Sequence, residues 1–210
     1  MPVVLTPPAA SALVGRMAGP LTVGGPEASA SRGARVASAE VSVVDDATLD
    51  GALASAPVDD EGLAARRVEL VLGGERVRTL TPGRGHSRRS SYRALPRPGA
   101  SNLYVLPSGR SRRELIALAG QGLLIEQVSG LARLGPSSAV SSIGVRGRRI
   151  RGGEPAEPVA GPLPISSLPN LFEAVVGVGE DLEFWPGKVN AGSPSLLIDA
   201  SGFPERKGER

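Results

Sequence analysis

The sequence predicts an α+β domain, rich in short strands and carrying a few short helices, and three features of its composition point there. Forty per cent of the 210 residues are apolar, enough for one domain with a real core. Aromatic residues are only 3%, so that core has to be built from Val, Leu, Ile and Ala. Glycine (28) and proline (19) are frequent, so the chain turns often and its regular elements stay short. The expected division is an N-terminal helix and Gly/Ser-rich loop over 1–32, the main domain over 33–202, and a charged, frayed tail over 203–210.

Taken in order, Ala9 to Ala18 places Ala12, Leu13 and Met17 at helical offsets between Pro7-Pro8 and Gly19-Pro20, which predicts a short, partly buried helix. Leu21 to Ser31 is rich in Gly, Ser and Ala and reads as a loop. Arg35 to Val44 (RVASAEVSVV) alternates imperfectly through Val36, Val41 and Val43 and reads as a strand. Arg67 to Leu80 (RVELVLGGERVRTL) is a hairpin turning at Gly73-Gly74, with Val68, Leu70 and Leu72 on one face and Glu69 and Val71 on the other. Leu103 to Leu106 is a short strand.

Ser111 and Glu114 form a capping box that starts a helix over Arg112 to Ala119, with Leu115, Ile116 and Leu118 as its buried side and Gly120 and Gly122 as its stop. Leu123 to Val128 resumes as a strand. Ser138 to Arg151 reads as two strands turning near Gly147, with Arg146, Arg148 and Arg149 on a solvated tip. Pro155, Pro158, Pro162 and Pro164 remove ladder donors from Glu154 to Leu168, so that stretch is expected to cross the surface. Ser167 caps a helix with Pro169 in its first turn, running through Leu171, Phe172, Ala174 and Val175 until Gly177 and Gly179. Glu180 to Trp185 and Ser195 to Ile198 are the last strands.

Composition also narrows the chemistry. Cysteine is absent, which removes disulfides, thiolate nucleophiles and thiolate metal ligands. Zinc sites need three or four ligands, and catalytic ones usually include one or two imidazoles; His86 is the only histidine. The net charge is +3 and the pI about 9.9, so polyanion binding is permitted without being demanded. No run of about 18 apolar residues exists to span a membrane. The start, MPVVLTPPAASALVGRM, lacks a basic n-region and is broken by Pro7 and Pro8, so it does not read as a secretory signal and a cytoplasmic protein is expected.

Two stretches concentrate charge. Val44 to Arg67 places Asp45 and Asp46 at the end of a β-branched run, then Gly51 and Pro57, then Asp59, Asp60 and Glu61 ahead of Gly62. Crowded carboxylates repel unless cations or backbone N–H groups face them, so this is expected to be a shaped loop, with Arg66 and Arg67 the nearest cations; the plainer reading is a solvated acidic turn. Thr81 to Asn102 (TPGRGHSRRSSYRALPRPGASN) reads as a long basic loop, of a length that is uncommon unless it binds something or is disordered. Three readings stand open: a solvated loop, a clamp for peptide or partner, and a nucleic-acid patch, the last disfavoured because only Tyr92 and Tyr104 are near for stacking. The candidate contacts are Arg84, His86, Arg88, Arg89, Tyr92 and Asn102.

The order DD, Gly-containing loop, Pro, DDEG and RR, followed by RRSSYRALPRPGASNLYV, GLLIEQVSG, VGVGEDLEF and GSPSLLID, resembles the C-terminal domain of the TldD/PmbA (TldD/TldE) metallopeptidase-related family from about Ala12 to Ala200. The resemblance implies an antiparallel β-rich domain that normally follows an N-terminal α/β domain. In active members that other domain carries an HExxxH helix whose imidazoles bind zinc, with Glu as base, and a Cys before the final strand adds a ligand. The corresponding stretch here, Pro186 to Gly192 (PGKVNAG), has no Cys, and the chain has no HExxxH.

The resemblance therefore implies a chain with no catalytic residue and no metal ligand of its own. It would be a TldE-like part of a peptidase assembly, in a homo- or hetero-oligomer with a TldD-like subunit, that dimerises or binds peptide. The basic loop would line substrate space, held in place by Asp59, Asp60, Glu61 and Gly62. Two alternatives stay open: an active half completed by a separate HExxxH chain together with Asp181 or Glu183, and an Arg-rich interaction or nucleic-acid-binding module.

Overall fold

Short apolar runs assemble here into two six-stranded sheets with one helix between them. The computed structural model describes residues 1–21, 32–131, 141–187 and 189–204. The chain opens with β1 (Val3–Leu5) and α1 (Pro7–Met17), then enters the second sheet through β2 (Val43–Asp46), β3 (Arg67–Leu72) and β4 (Glu75–Arg76). A two-stranded ribbon follows, β5 (Ser87–Arg88) with β6 (Arg97–Pro98), and then β7 (Asn102–Val105). The next elements are α2 (Arg112–Ala119), β8 (Gly122–Ser129), β9 (Ser141–Arg151), β10 (Glu154–Ile165) and α3 (Leu168–Glu173). Strands β11 (Val175–Val178), β12 (Glu183–Trp185), β13 (Asn190–Ser193) and β14 (Leu196–Ile198) complete the sheets.

The first sheet runs β10-β9-β8-β1-β14-β11 and the second β12-β13-β7-β2-β3-β4. Pairing is antiparallel except for β1 with β8 and β13 with β7. The α+β, β-rich class read from the sequence is the one observed. Pro7 and Pro8 occupy the first turn of α1, where their missing donors are orphaned in any case. That helix packs on β12, β13 and β7 on one side and on β8 and β1 on the other. It is accordingly buried through Ala9, Ala10, Leu13, Val14 and Met17.

One continuous core therefore joins Leu13 and Val14 to Leu5, Ile125 and Val145 of the first sheet and to Val43, Leu103 and Val105 of the second. The opposite face of the first sheet buries Val4, Leu124, Ile150 and Leu197 beneath Leu115, Ile116 and Ala119 of α2. Residues 1–32 thus contribute a central strand and the helix between the sheets. Among the described residues no helix is long and apolar enough to cross a membrane.

Several local expectations hold. The capping box at Ser111 and Glu114 forms in both directions, and Ser167 accepts the N–H of Asn170 at the head of α3. The β3–β4 hairpin turns on Gly73 and Gly74, both at positive φ. Its faces differ from the expected ones, since Val71 is fully buried and Leu72 is exposed beside the turn. Of Arg35 to Val44, only Val43 and Val44 enter a strand; Arg35 makes a single bridge to Glu75. In α2 the third buried residue is Ala119, while Leu118 is 62% exposed. Helix α3 stops at Glu173, so Val175 and Gly177 belong to β11.

Two corrections are larger. Gly147 is no turn: it lies inside β9, opposite Ile125 and Val159, and a Cβ there would sit 1.9 Å from the Leu124 carbonyl oxygen. The turn comes later, at Gly152-Gly153, and Arg146, Arg148 and Arg149 decorate a strand instead of a tip. The proline-rich stretch is strand β10, paired with β9 alone on the edge of the sheet. Pro158, Pro162 and Pro164 share one parity, and an extra residue between Pro155 and Pro158 brings Pro155 into the same phase. All four can then sit where an edge strand's N–H groups face away from the ladder, so the missing donors break no pairing. The predicted loop over 21–31 and the tail beyond 204 fall almost wholly outside the described residues, as do residues 138–140.

Candidate functional site

The acidic and basic stretches, distant in sequence, form one structure. Asp59 is 4% exposed, and its carboxylate accepts the N–H groups of Glu61 (3.0 Å), Leu63 (2.9 Å) and Ser87 (3.0 Å). Burial alone would raise its pKa, but these donors together hold it below the ordinary carboxylate range. Asp60 accepts the Arg89 N–H at 2.6 Å and donates its own N–H to the Ser87 carbonyl at 3.1 Å. Glu61 Oε2 accepts the Gly83 N–H at 3.0 Å and the Ser87 hydroxyl at 2.5 Å. Gly85 lets the two backbones close up, since a Cβ there would lie 2.2 Å from the Ala64 carbonyl oxygen. The DDEG turn therefore holds the basic loop through its backbone, and Arg66 and Arg67 take no part in these bonds. Arg67 instead faces Glu69 at 3.2 Å and reaches Asp46 at 3.9 Å.

Asp45 lies fully buried on β2. Its Oδ1 accepts the Ser101 N–H at 2.7 Å, and its Oδ2 has no partner. Burial pushes its pKa up to about 7 against the lowering pull of the Ser101 bond and the Arg88 charge. Arg88 donates through Nη2 to the Ser101 hydroxyl, so Asp45, Ser101 and Arg88 form one cluster at the base of the ribbon. No local sequence signal marked it, because its members come from three separate segments.

The six predicted contact residues separate into two groups. His86 is 4% exposed with Nδ1 unpartnered; burial lowers its pKa, Asp59 pushes it up, and Arg88 and Arg66 push it down. Asn102 is fully buried and satisfied: it donates to the Asp46 carbonyl (2.6 Å) and Ser55 Oγ (2.9 Å), and accepts from the Ala54 N–H (3.1 Å) and Asn190 Nδ2 (2.6 Å). Asn102 fastens the 44–67 loop to the second sheet, half-buried Arg88 reaches that sheet through Ser101, and His86 accepts the Gly99 N–H with its carbonyl. Arg84, Arg89 and Tyr92 face solvent.

A second polar cluster joins α2 to β14. Arg112 donates to Asp181 Oδ2 through Nε (2.8 Å), with Nη2 2.7 Å from the same oxygen, while Ser195 gives Asp181 its N–H and its hydroxyl, each at 2.8 Å. Both Asp181 oxygens are engaged, and Glu183 stands 3.6 Å from Arg112. Among the described residues no three His, Asp or Glu side chains converge as metal ligands would.

Residues 1–203 match the profile of the PmbA/TldA metallopeptidase C-terminal domain. The chain belongs to this family. As a PmbA/TldA C-terminal domain it is 25% identical over 197 residues to a metalloprotease TldD homologue of Buchnera aphidicola, covering 80% of this chain and 39% of that protein. It is 30% identical over 108 residues to a TldD homologue of Haemophilus influenzae, covering 47% and 22% respectively.

Among solved structures, TldE from Thermococcus kodakarensis superposes with a TM-score of 0.76 at 18% identity, over 94% of this chain and 48% of that one. A Thermotoga maritima protein, named as a candidate modulator of a DNA gyrase, superposes at 0.78 and 22% identity with the same coverage. At these identities the structures establish a shared fold. The PmbA/TldA domain seen here spans about half the length of those chains, and less of the TldD homologues.

Proposed function

We propose that this chain is a non-catalytic, TldE-like component of a cytoplasmic peptidase assembly, joining a TldD-like subunit and presenting a surface to peptide substrate. The observation that carries the reading is the use made of the acidic turn. Asp59, Asp60 and Glu61 direct their oxygens onto the backbone and the Ser87 hydroxyl of the basic loop, which fixes its shape while its outer guanidinium groups stay in solvent. A surface shaped before its ligand arrives loses less entropy on binding. One imidazole, buried, and no thiol support a chain that holds no catalytic zinc itself. The alternative of a half-site completed by Asp181 would require breaking its bonds to Ser195 and Arg112.

The test is co-expression with a TldD-like HExxxH subunit. The two chains are expected to co-purify, the complex to cleave an unfolded peptide, and the isolated 210-residue chain to carry no stoichiometric zinc. Reversing Arg84 and Arg89 to Glu should weaken peptide binding by the complex without dissociating it. Stoichiometric zinc and unaided peptide turnover by the isolated chain would overturn the proposal.

A further inference from the structure

From Arg76 to Arg113 the sequence holds no Asp or Glu, so any neutralisation of its arginines has to come from elsewhere in the fold. The nearest acids are those of the DDEG turn, and their bonds to this loop go to main-chain N–H groups and the Ser87 hydroxyl. Among the described residues, Arg84, Arg89, Arg93 and Arg97 consequently form no ion pair. Ribbon pairing of Arg88 with Arg97 and of Ser87 with Pro98 carries residues 89–96 outward as a tip. On that tip Tyr92 is 80% exposed and Leu95 81% exposed, beside Pro96. The loop is thus cationic, braced at its base, and ends in two uncovered apolar side chains.

We infer that this tip is a docking site for an acidic peptide segment, whose carboxylates pair with Arg89 and Arg93 on the tip and Arg97 at its base and whose apolar residue covers Leu95. The inference rests on the substrate-binding reading above and names its ligand class. Guanidinium groups match carboxylates bidentately, and pairs made against an already ordered loop forfeit little chain entropy. Single-stranded nucleic acid fits less well. It needs successive aromatic platforms, and Tyr92 already has the Arg93 guanidinium 5.0 Å from its ring centroid. The other tyrosine nearby, Tyr104, is buried edge-on against Phe184.

The experiment titrates the full chain into a short fluorescein-labelled peptide alternating Glu and Leu, a control with Gln for Glu, and labelled oligouridylate, reading anisotropy at low and physiological salt. The acidic peptide is expected to bind at least about tenfold tighter than the control, with affinity falling as salt rises. The double variant R89E/R93E should lose that tenfold, whereas R148E, a charge reversal at an exposed position of β9, should not. Equal binding of the Gln peptide, equal loss in R148E, or tighter binding of oligouridylate would each overturn the inference. Acidic-peptide binding by a chain that never joins a TldD-like subunit would remove only the assembly reading. An active assembly indifferent to acidic segments would remove only this inference.

Discussion

Asp45 is enclosed on all sides, yet only one of its carboxylate oxygens has a partner. Unfolded, such a carboxyl titrates near 3.8; here burial carries it to about 7. Between those values the folded chain keeps a proton that the unfolded chain has released. The stability this contributes is full below pH 3.8 and is lost as pH rises through about 7. His86 works in the other direction, its lowered pKa costing stability as pH falls below 6.5. Thermal unfolding of wild type and Asp45→Asn between pH 5 and 8 separates the two, and the difference between the proteins should change by a few kcal/mol across that window. A pH-independent difference would contradict the buried, half-partnered carboxyl. The sequence flagged these acids as a group needing partners, and it pointed to Arg66 and Arg67 because they are adjacent. Arg67 does reach Asp46, at 3.9 Å, but the other partners are mainly N–H groups: Glu61 and Leu63 within the turn, and Ser87, Arg89 and Ser101, which only the folded loops bring near.

Elements whose signals are local were legible, and those whose burial is two-sided were not. The α2 capping box needs only Ser111 and Glu114, and it formed as read. Strand β1 (VVL) sends Val3 and Leu5 into the core between the sheets and Val4 beneath α2, so no polar alternation marks it. Strand β13 (NAGS) has no β-branched residue and is held by its neighbours β7 and β12. In β9 glycine misled in the other direction: at Gly147 it signals close approach of β8, not reversal of the chain. Gly147→Val should therefore push β8 and β9 apart and cost at least about 3 kcal/mol in urea unfolding, whereas the same change at the solvent-facing Gly109 should cost under about 1 kcal/mol. Equal effects at both positions would count against the close packing of these strands.

At the scale of the molecule, α1 is what makes two sheets one body. Leu13 is fully buried and belongs to the core that both sheets share. Leu13→Ala should lower stability by about 3 kcal/mol while unfolding stays a single transition; two separated transitions would show that the sheets unfold as independent units and are not one body. The family's blocks were visible in the sequence over most of this body, and the resemblance implied that the DDEG turn holds the basic loop; the individual backbone donors that do so were not visible, since no pattern of residue types encodes which of them will meet. The placement of β1 has one more effect. It pairs with β8 on one side and with β14 on the other, so a segment synthesised early waits for one synthesised much later. Contacts this remote in sequence form late and slowly. A ribosome-bound chain shorter than about β14 has a gap in its first sheet, and holdase chaperones should find their binding site along that gap until Leu196, Leu197 and Ile198 emerge to close it.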